Sequence, residues 1–194
     1  MSRKLRGKIF IVLGFLLVFV ATGIFMVNDH QDRKAGENAA ILLEELKEQQ
    51  AKSYVNTDSA EGEMPEQTLM GYNLVGTITV PKVGIELPVL NEWSYELLKI
   101  SPCRYSGSVE NDDFIILGHN YKSHFSPLKN CSVGDQVCFT DVNGITHIYA
   151  ISEIETLYKT ELDKLTSSNY DLTLFTCTNS GQSRFVIRCD KAEM

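Results

Sequence analysis

The chain has 194 residues, 43% of them hydrophobic, with a net charge of −7. That is room for one domain plus accessory segments, with a composition ordinary for a globular protein. The charge is uneven: Arg3, Lys4, Arg6 and Lys8 fall in the first eight residues with no acid, so the remainder carries −11. An acidic body of this kind argues against nucleic acid as a partner, because phosphates call for a basic face.

Taken in chain order, residues 1–8 read as a basic tail. Residues 9–27 are 19 consecutive residues without a charge, dominated by Ile, Leu, Val and Phe. As a helix they span about 28 Å, close to the hydrocarbon thickness of a bilayer. Basic residues before the span and Asp29 and Asp32 after it place the N-terminus in the cytoplasm and the rest outside. The small residues Ala21-Thr22-Gly23 suit a cleaved signal peptide. The apolar run continues through Ile24-Phe25-Met26-Val27, which favours a transmembrane anchor.

Residues 28–71 read as an extracellular helical stem and a flexible linker. Ala39, Leu42, Leu43 and Leu46 recur at helical spacing over 38–52, with Glu44, Glu45, Lys47 and Glu48 between them. Such a helix could dock on the domain or pair with another copy, and a solvated stem is the simplest reading. From 53 to 68 there is no apolar periodicity, as expected of a tether.

The folded domain is expected over 72–194 and is mostly β. Strands are predicted over 75–80, 85–89, 114–117, 136–140, 146–154, 172–176 and 184–189, all rich in β-branched or aromatic residues. Asp141-Val142-Asn143-Gly144 predicts a hairpin. Short helices are expected over 94–100, 124–128 and 161–165. Many short strands with turns between them suggest a closed barrel or a sandwich.

The five cysteines, at 103, 131, 138, 177 and 189, are odd in number. In an exported chain at least one thiol therefore stays free or pairs outside the chain. Cys138 and Cys189 lie in β-type runs, where cysteine behaves as a small buried hydrophobe. Cys177 is different: it ends the strand Leu172-Thr173-Leu174-Phe175-Thr176, and a polar loop with Gly181 follows. An ordinary thiol titrates at about pH 8.5 and is only a few per cent thiolate at neutral pH. A nearby cation raises that fraction.

His119 and Arg184 are the candidates for such a cation. Phe114-Ile115-Ile116-Leu117 delivers Gly118-His119-Asn120, and glycine is expected there to let the backbone turn. Among the other histidines, His30 is juxtamembrane, His147 sits in a strand and His124 in a loop nearby. Arg184 opens the last strand, and Arg188, four residues on, shares its face. Arg184 lies nearer the end that Cys177 should occupy, and its planar fork suits a carbonyl or a developing oxyanion. Each residue taken alone also fits a buried thiol, a strand-end histidine or a surface arginine. Their conjunction carries the chemistry.

That conjunction resembles the sortases, the cysteine transpeptidases of Gram-positive cell surfaces. Thr173-Leu174-Phe175-Thr176-Cys177 with Arg184-Phe185-Val186-Ile187 looks like the family signature, and Leu117-Gly118-His119-Asn120 is similar to its histidine segment. The run from Val75 to Val89 is similar to its opening strand pair, so the likeness covers roughly residues 72–190. It implies a closed eight-stranded β-barrel with short helices in its loops, preceded by a transmembrane helix. It also implies that Cys177 attacks an amide in a Leu-Pro-x-Thr-Gly-like sorting signal of a secreted protein and forms a thioester. His119 would protonate the leaving amine, Arg184 would steady the thioester or oxyanion, and Thr176 and Asn120 would line the substrate site. An amine of a cell-wall precursor or a pilin lysine would then resolve the thioester.

The resemblance calls for no cofactor. Some class A relatives use calcium, but the acids Glu110, Asp112 and Asp113 read here as solvated, and no metal is expected. Only six residues separate Cys177 from Arg184, which points to class D or a class B-like member. Two other readings stay open: a membrane-tethered cysteine endopeptidase that hands the acyl group to water, and a non-catalytic exported β-domain that binds a wall polymer.

Overall fold

A single helix, α1 (Arg3–Lys52), runs through both the apolar segment and the expected stem. The computed structural model describes residues 3–52, 64–167 and 169–192. The chain divides into two units, one ending at Lys34 and one beginning at Ala35. In the first unit α1 is long and apolar enough to cross a membrane, with a mean hydropathy of 2.8 over its most apolar window. The large apolar side chains there, such as Phe10, Leu16, Phe19 and Phe25, are exposed, a surface that suits lipid rather than water.

In the second unit the end of α1 is part of the folded body, not a solvated stem. Ala35, Ala39, Leu42 and Leu46 are buried, one stripe at i, i+4, i+7 and i+11. Small residues allow a close approach: a Cβ added at Gly36 would lie 2.9 Å from the Cβ of Ser123. Lys47 Nζ pairs with Glu86 at 2.6 Å, and Gln50 Nε2 donates to the Asp141 carbonyl at 2.9 Å. The expected tether is also shorter at its far end. Gln67 and Thr68 belong to a strand, β1 (Gln67–Leu69), which pairs with β2 (Tyr72–Val80). Residues 53–63 of the tether lie outside the described residues.

Eight further strands close the barrel. After β2 come β3 (Ile85–Leu90), β4 (Cys103–Ser106), β5 (Phe114–Gly118), β6 (Gln136–Asp141), β7 (Thr146–Tyr158), β8 (Leu172–Cys177) and β9 (Ser183–Lys191). Their order is β2-β3-β4-β5-β8-β9-β7-β6, and antiparallel pairing of β6 with β2 closes the ring. This is the eight-stranded barrel that the resemblance implies. β4 was not foreseen: Cys-Arg-Tyr-Ser carries no run of β-branched residues, and it is held by pairing with β3 and β5. β7 runs four residues past its expected end because β9 pairs with it as far as Tyr158. The Asn-Gly hairpin forms as expected, with Gly144 at φ +85° and the Ile145 N–H donating to Asp141 Oδ1. The short helices are mostly single 3-10 turns, at Leu97–Lys99, Ser126–Asn130 and Lys159–Glu161, followed by α2 (Asp163–Thr166).

β5 and β8 run parallel, and the register sets Leu117 beside Phe175 and Gly118 beside Thr176. Both faces of this pair are covered, which is why β5 reads as a continuous apolar run. Phe114, Ile116, Leu172 and Leu174 belong to one core cluster, and Ile115, Leu117 and Phe175 to another. Arg188 of β9 is 2% exposed. It pairs with Glu155 at 2.9 Å and donates to Thr173 Oγ1 and to the carbonyls of Lys164 and Leu165. It therefore pins α2 against the barrel wall.

Candidate active site

Cys177 is the last residue of β8, and its neighbours decide what surrounds it. On one side β9 places Arg184 directly opposite Cys177. On the other side β5 ends at Gly118, beside Thr176, so His119 leaves the sheet next to Cys177. Residues paired across strands share a face, and successive residues alternate. Leu117, Phe175, Cys177 and Arg184 thus share the outer face, and with His119 they line one cavity of about 200 Å³. All three sequence-expected reactive residues are brought together there.

The rest of this cavity is largely apolar. Trp93, Tyr95 and Leu98 come from the β3–β4 connection, Tyr105 from β4, and Leu162 from the turn before α2. Their rings form a ladder: Trp93 to Tyr105 at 5.7 Å, and Tyr105 edge-on to Phe175 at 5.2 Å. Trp93 and Tyr95 remain 42% and 79% exposed, so the mouth of the cavity is aromatic and open. An apolar recess with a few convergent polar groups is the usual form of a site that grips an extended ligand. These aromatics did not figure among the sequence-expected site residues. Their clustering in one connection and the strand after it was the available signal.

His119 lies in a tight turn. Its ring stacks on Tyr121 with centroids 3.7 Å apart and planes 15° from parallel. Tyr121 is itself buried, and its carbonyl accepts from the N–H groups of His124 and Ser126. The Phe125 N–H donates to the His119 carbonyl at 3.2 Å. His124 is wholly buried, its ring 5.6 Å from that of Tyr121, and it does not line the cavity. Gly118 serves a purpose other than the expected turn. Its φ is not in the left-handed region, and a Cβ there would lie 2.3 Å from the Phe125 ring. The missing side chain is space for that ring.

Arg184 is half-buried, and its Nη1 donates to the carbonyls of Ser183 and Gly181 at 3.0 and 3.3 Å. This holds the guanidinium at the cavity wall by its own loop. Arg188 on the same face is committed to Glu155 and α2, which leaves Arg184 as the arginine facing the thiol.

The two sequence-expected substrate contacts separate. Asn120 lines the cavity of Cys177, and its Nδ2 donates to Asn179 Oδ1 at 2.7 Å, tying the β5 end to the β8–β9 loop. Thr176 points to the opposite face of β8. It lines a second cavity of about 180 Å³, which Cys177 and Asn120 also border.

All five thiols are free. Burial pushes the Cys103 thiol up to about 12, and burial likewise raises those of Cys131, Cys138 and Cys189. Cys103, Cys131 and Cys189 are buried packing groups, whereas Cys138, expected as a small buried hydrophobe, is only half-buried. Of the acidic loop, Asp113 Oδ1 accepts from the Ser108 N–H at 2.8 Å, and Asp112 pairs with Lys191.

The sequence matches the Sortase domain family over residues 78–192. Solved structures share the fold. A Clostridium perfringens sortase D5 transpeptidase aligns with a TM-score of 0.62 at 21% identity, over 81% of this chain and 99% of that one. Clostridium perfringens sortase C with the C-terminal cell wall sorting motif gives 0.56 at 18%, over 91% and 97%. Listeria monocytogenes sortase A gives 0.54 at 22%, over 62% and 88%. No curated protein sequence matches the chain.

Proposed function

The chain belongs to the sortase family and is a cysteine transpeptidase of that type; from this premise we propose that it cleaves a C-terminal sorting signal of secreted proteins at the outer face of the membrane. Cys177 is the nucleophile, His119 the general acid and Arg184 the oxyanion partner. The observation that carries this reading is their convergence on one apolar cavity from the ends of β8, β5 and β9.

The Cys177 thiolate attacks the carbonyl of the scissile amide, and protonated His119 donates to the departing amine. Across the strand pair, the Arg184 guanidinium meets the charge that develops on the carbonyl oxygen. The aromatic recess of Trp93, Tyr105 and Phe175 takes the apolar residues of a Leu-Pro-x-Thr-Gly-like motif. An amine of a cell-wall precursor or a pilin then resolves the thioester. The basic residues ahead of the apolar span support a single-pass topology with the N-terminus in the cytoplasm. The six-residue link from Cys177 to Arg184 supports a class D or class B-like member.

The test is intact mass of the full chain in detergent with a panel of sorting-motif peptides, with and without an added amine. An acyl adduct on Cys177 and an amine-exchanged product, both lost in Cys177→Ala, are expected. Hydrolysed peptide alone, even with excess amine, would make it an endopeptidase.

A further inference from the structure

We propose that Gly36 of α1 is a positioning residue for the reaction: its contact with Ser123 fixes the turn that carries His119. The inference rests on the transpeptidase reading above and adds to it a support from a distant part of the chain.

Glycine is a poor helix former, because it gives up more backbone freedom on folding than any other residue. α1 contains four glycines. At Gly7, Gly14 and Gly23 an added Cβ would meet nothing within 4 Å. At Gly36 it would lie 2.9 Å from Ser123 Cβ and 3.5 Å from Ser123 Oγ. Packed carbon atoms settle at about 3.5–4.0 Å, so helix and turn would have to part by roughly 0.6 Å. No rotamer change relieves this, since a Cβ moves only with its own backbone.

The helix is the firmer side of this contact. Ala35, Ala39, Leu42 and Leu46 are buried around Gly36. Leu42 and Leu46 belong to the apolar cluster of Leu98, Leu117 and Phe175, three residues of the wall around Cys177. Lys47 and Gln50 anchor the end of α1 on Glu86 and on the Asp141 carbonyl. Ser123 is only half-buried and lies in a tight turn. Pressure at Gly36 therefore passes to the turn.

Within the turn the route to His119 is short. The Tyr121 carbonyl accepts from the His124 and Ser126 N–H groups, closing a loop that contains Ser123. The Tyr121 ring lies on the His119 imidazole at 3.7 Å. A displaced Ser123 takes Tyr121 with it, and the imidazole follows its stacking partner. Cys177 and Arg184 belong to β8 and β9 and stand outside this turn.

Gly36 thus bears on the proton that His119 delivers. When an amide is cleaved, the C–S bond forms and the C–N bond breaks with its electron pair on nitrogen, which takes the His119 proton. A p-nitrophenyl ester forms the same C–S bond, but p-nitrophenolate leaves with its electron pair and needs no proton.

The experiment uses the full chain in detergent and follows acylation of Cys177 by intact mass. The substrates are the sorting-motif peptide that acylates wild type and the p-nitrophenyl ester of its acyl segment. Gly36→Ala should slow the amide about fivefold with unchanged KM, given that a misplacement of about 1 Å costs up to ~100-fold. The ester rate should stay within about twofold. Gly36→Val should slow the amide further, Gly36→Ala with Ser123→Gly should recover it, and Gly23→Ala should match wild type. A wild-type amide rate in Gly36→Ala, or equal slowing of both substrates without rescue by Ser123→Gly, would overturn the proposal. If no motif peptide acylates wild type, the transpeptidase reading falls, and this inference with it.

Discussion

Replacing Gly118 by alanine puts a methyl group where the Phe125 ring now lies. The new Cβ would sit 2.3 Å from two ring carbons. Phe125 is wholly buried in the barrel core, so its ring can give way only towards the second cavity, which it borders. Overpacking of this kind costs about 1–3 kcal/mol. For a domain of this size that converts to a fall in Tm of about 3–10 °C. Function should suffer as well, because the Phe125 N–H is bonded to the His119 carbonyl and a displaced ring drags that turn. A misplacement of about 1 Å in a reacting group lowers turnover by up to ~100-fold.

The assay pairs thermal denaturation with peptide turnover for Gly118→Ala, Phe125→Leu and the double variant. Phe125→Leu alone should cost on the order of 1–2 kcal/mol by leaving space. The double variant should recover about 1 kcal/mol relative to the sum, because the methyl then fills that space. A Tm within a degree of wild type, or strictly additive losses, would refute the close-packing account. A lower Tm with intact turnover would show that Phe125 and His119 move independently.

Other consequences can be measured separately. Tyr121→Ala should lower kcat about tenfold or more with little change in KM, since the stacked ring orients His119 rather than touching substrate, and Tyr121→Phe should keep most activity. Arg188→Met should lower the urea-unfolding free energy by about 3 kcal/mol, because Thr173 Oγ1 and two backbone carbonyls lose their donor, while Arg184→Met should shift it by less than about 1 kcal/mol and abolish turnover. The raised Cys103 thiol gives an alkaline signature. Its folded pKa of about 12 lies above the unfolded value of 9.0. Its contribution is therefore fully present below pH 9 and is lost as pH climbs towards 12, on the order of 4 kcal/mol across that window. Cys103→Ala should flatten this part of a stability-versus-pH curve, and an unchanged slope would contradict the assignment.

Much of this protein is decided by short-range pattern. The uncharged run over 9–27, the alternating apolar strands, the Asn-Gly hairpin and the joint Thr-Cys, Gly-His and Arg segments are all local, and local chemistry is legible residue by residue. The parallel pairing of β5 with β8 is not local. It brings together residues far apart in the chain and depends on cover from both sides, which no window of sequence contains. The same holds for β4, a weak strand made by its neighbours. It holds for the end of α1, whose stripe reads alike whether it meets solvent, a second copy or the barrel.

Two arginines share one face, and the sequence favours Arg184 only by its nearness to the strand end that Cys177 should occupy. The arrival of Glu155 and the α2 carbonyls commits Arg188 to structure, and Arg184 is the one that lines the cavity. Gly118 is likewise a turn glycine in sequence and a space for Phe125 in the fold. What the chain determines by itself is which residues end each strand and what chemistry they carry. Which of them meet is set by register and packing, because contact energy depends on partners that the backbone brings together only when the barrel closes.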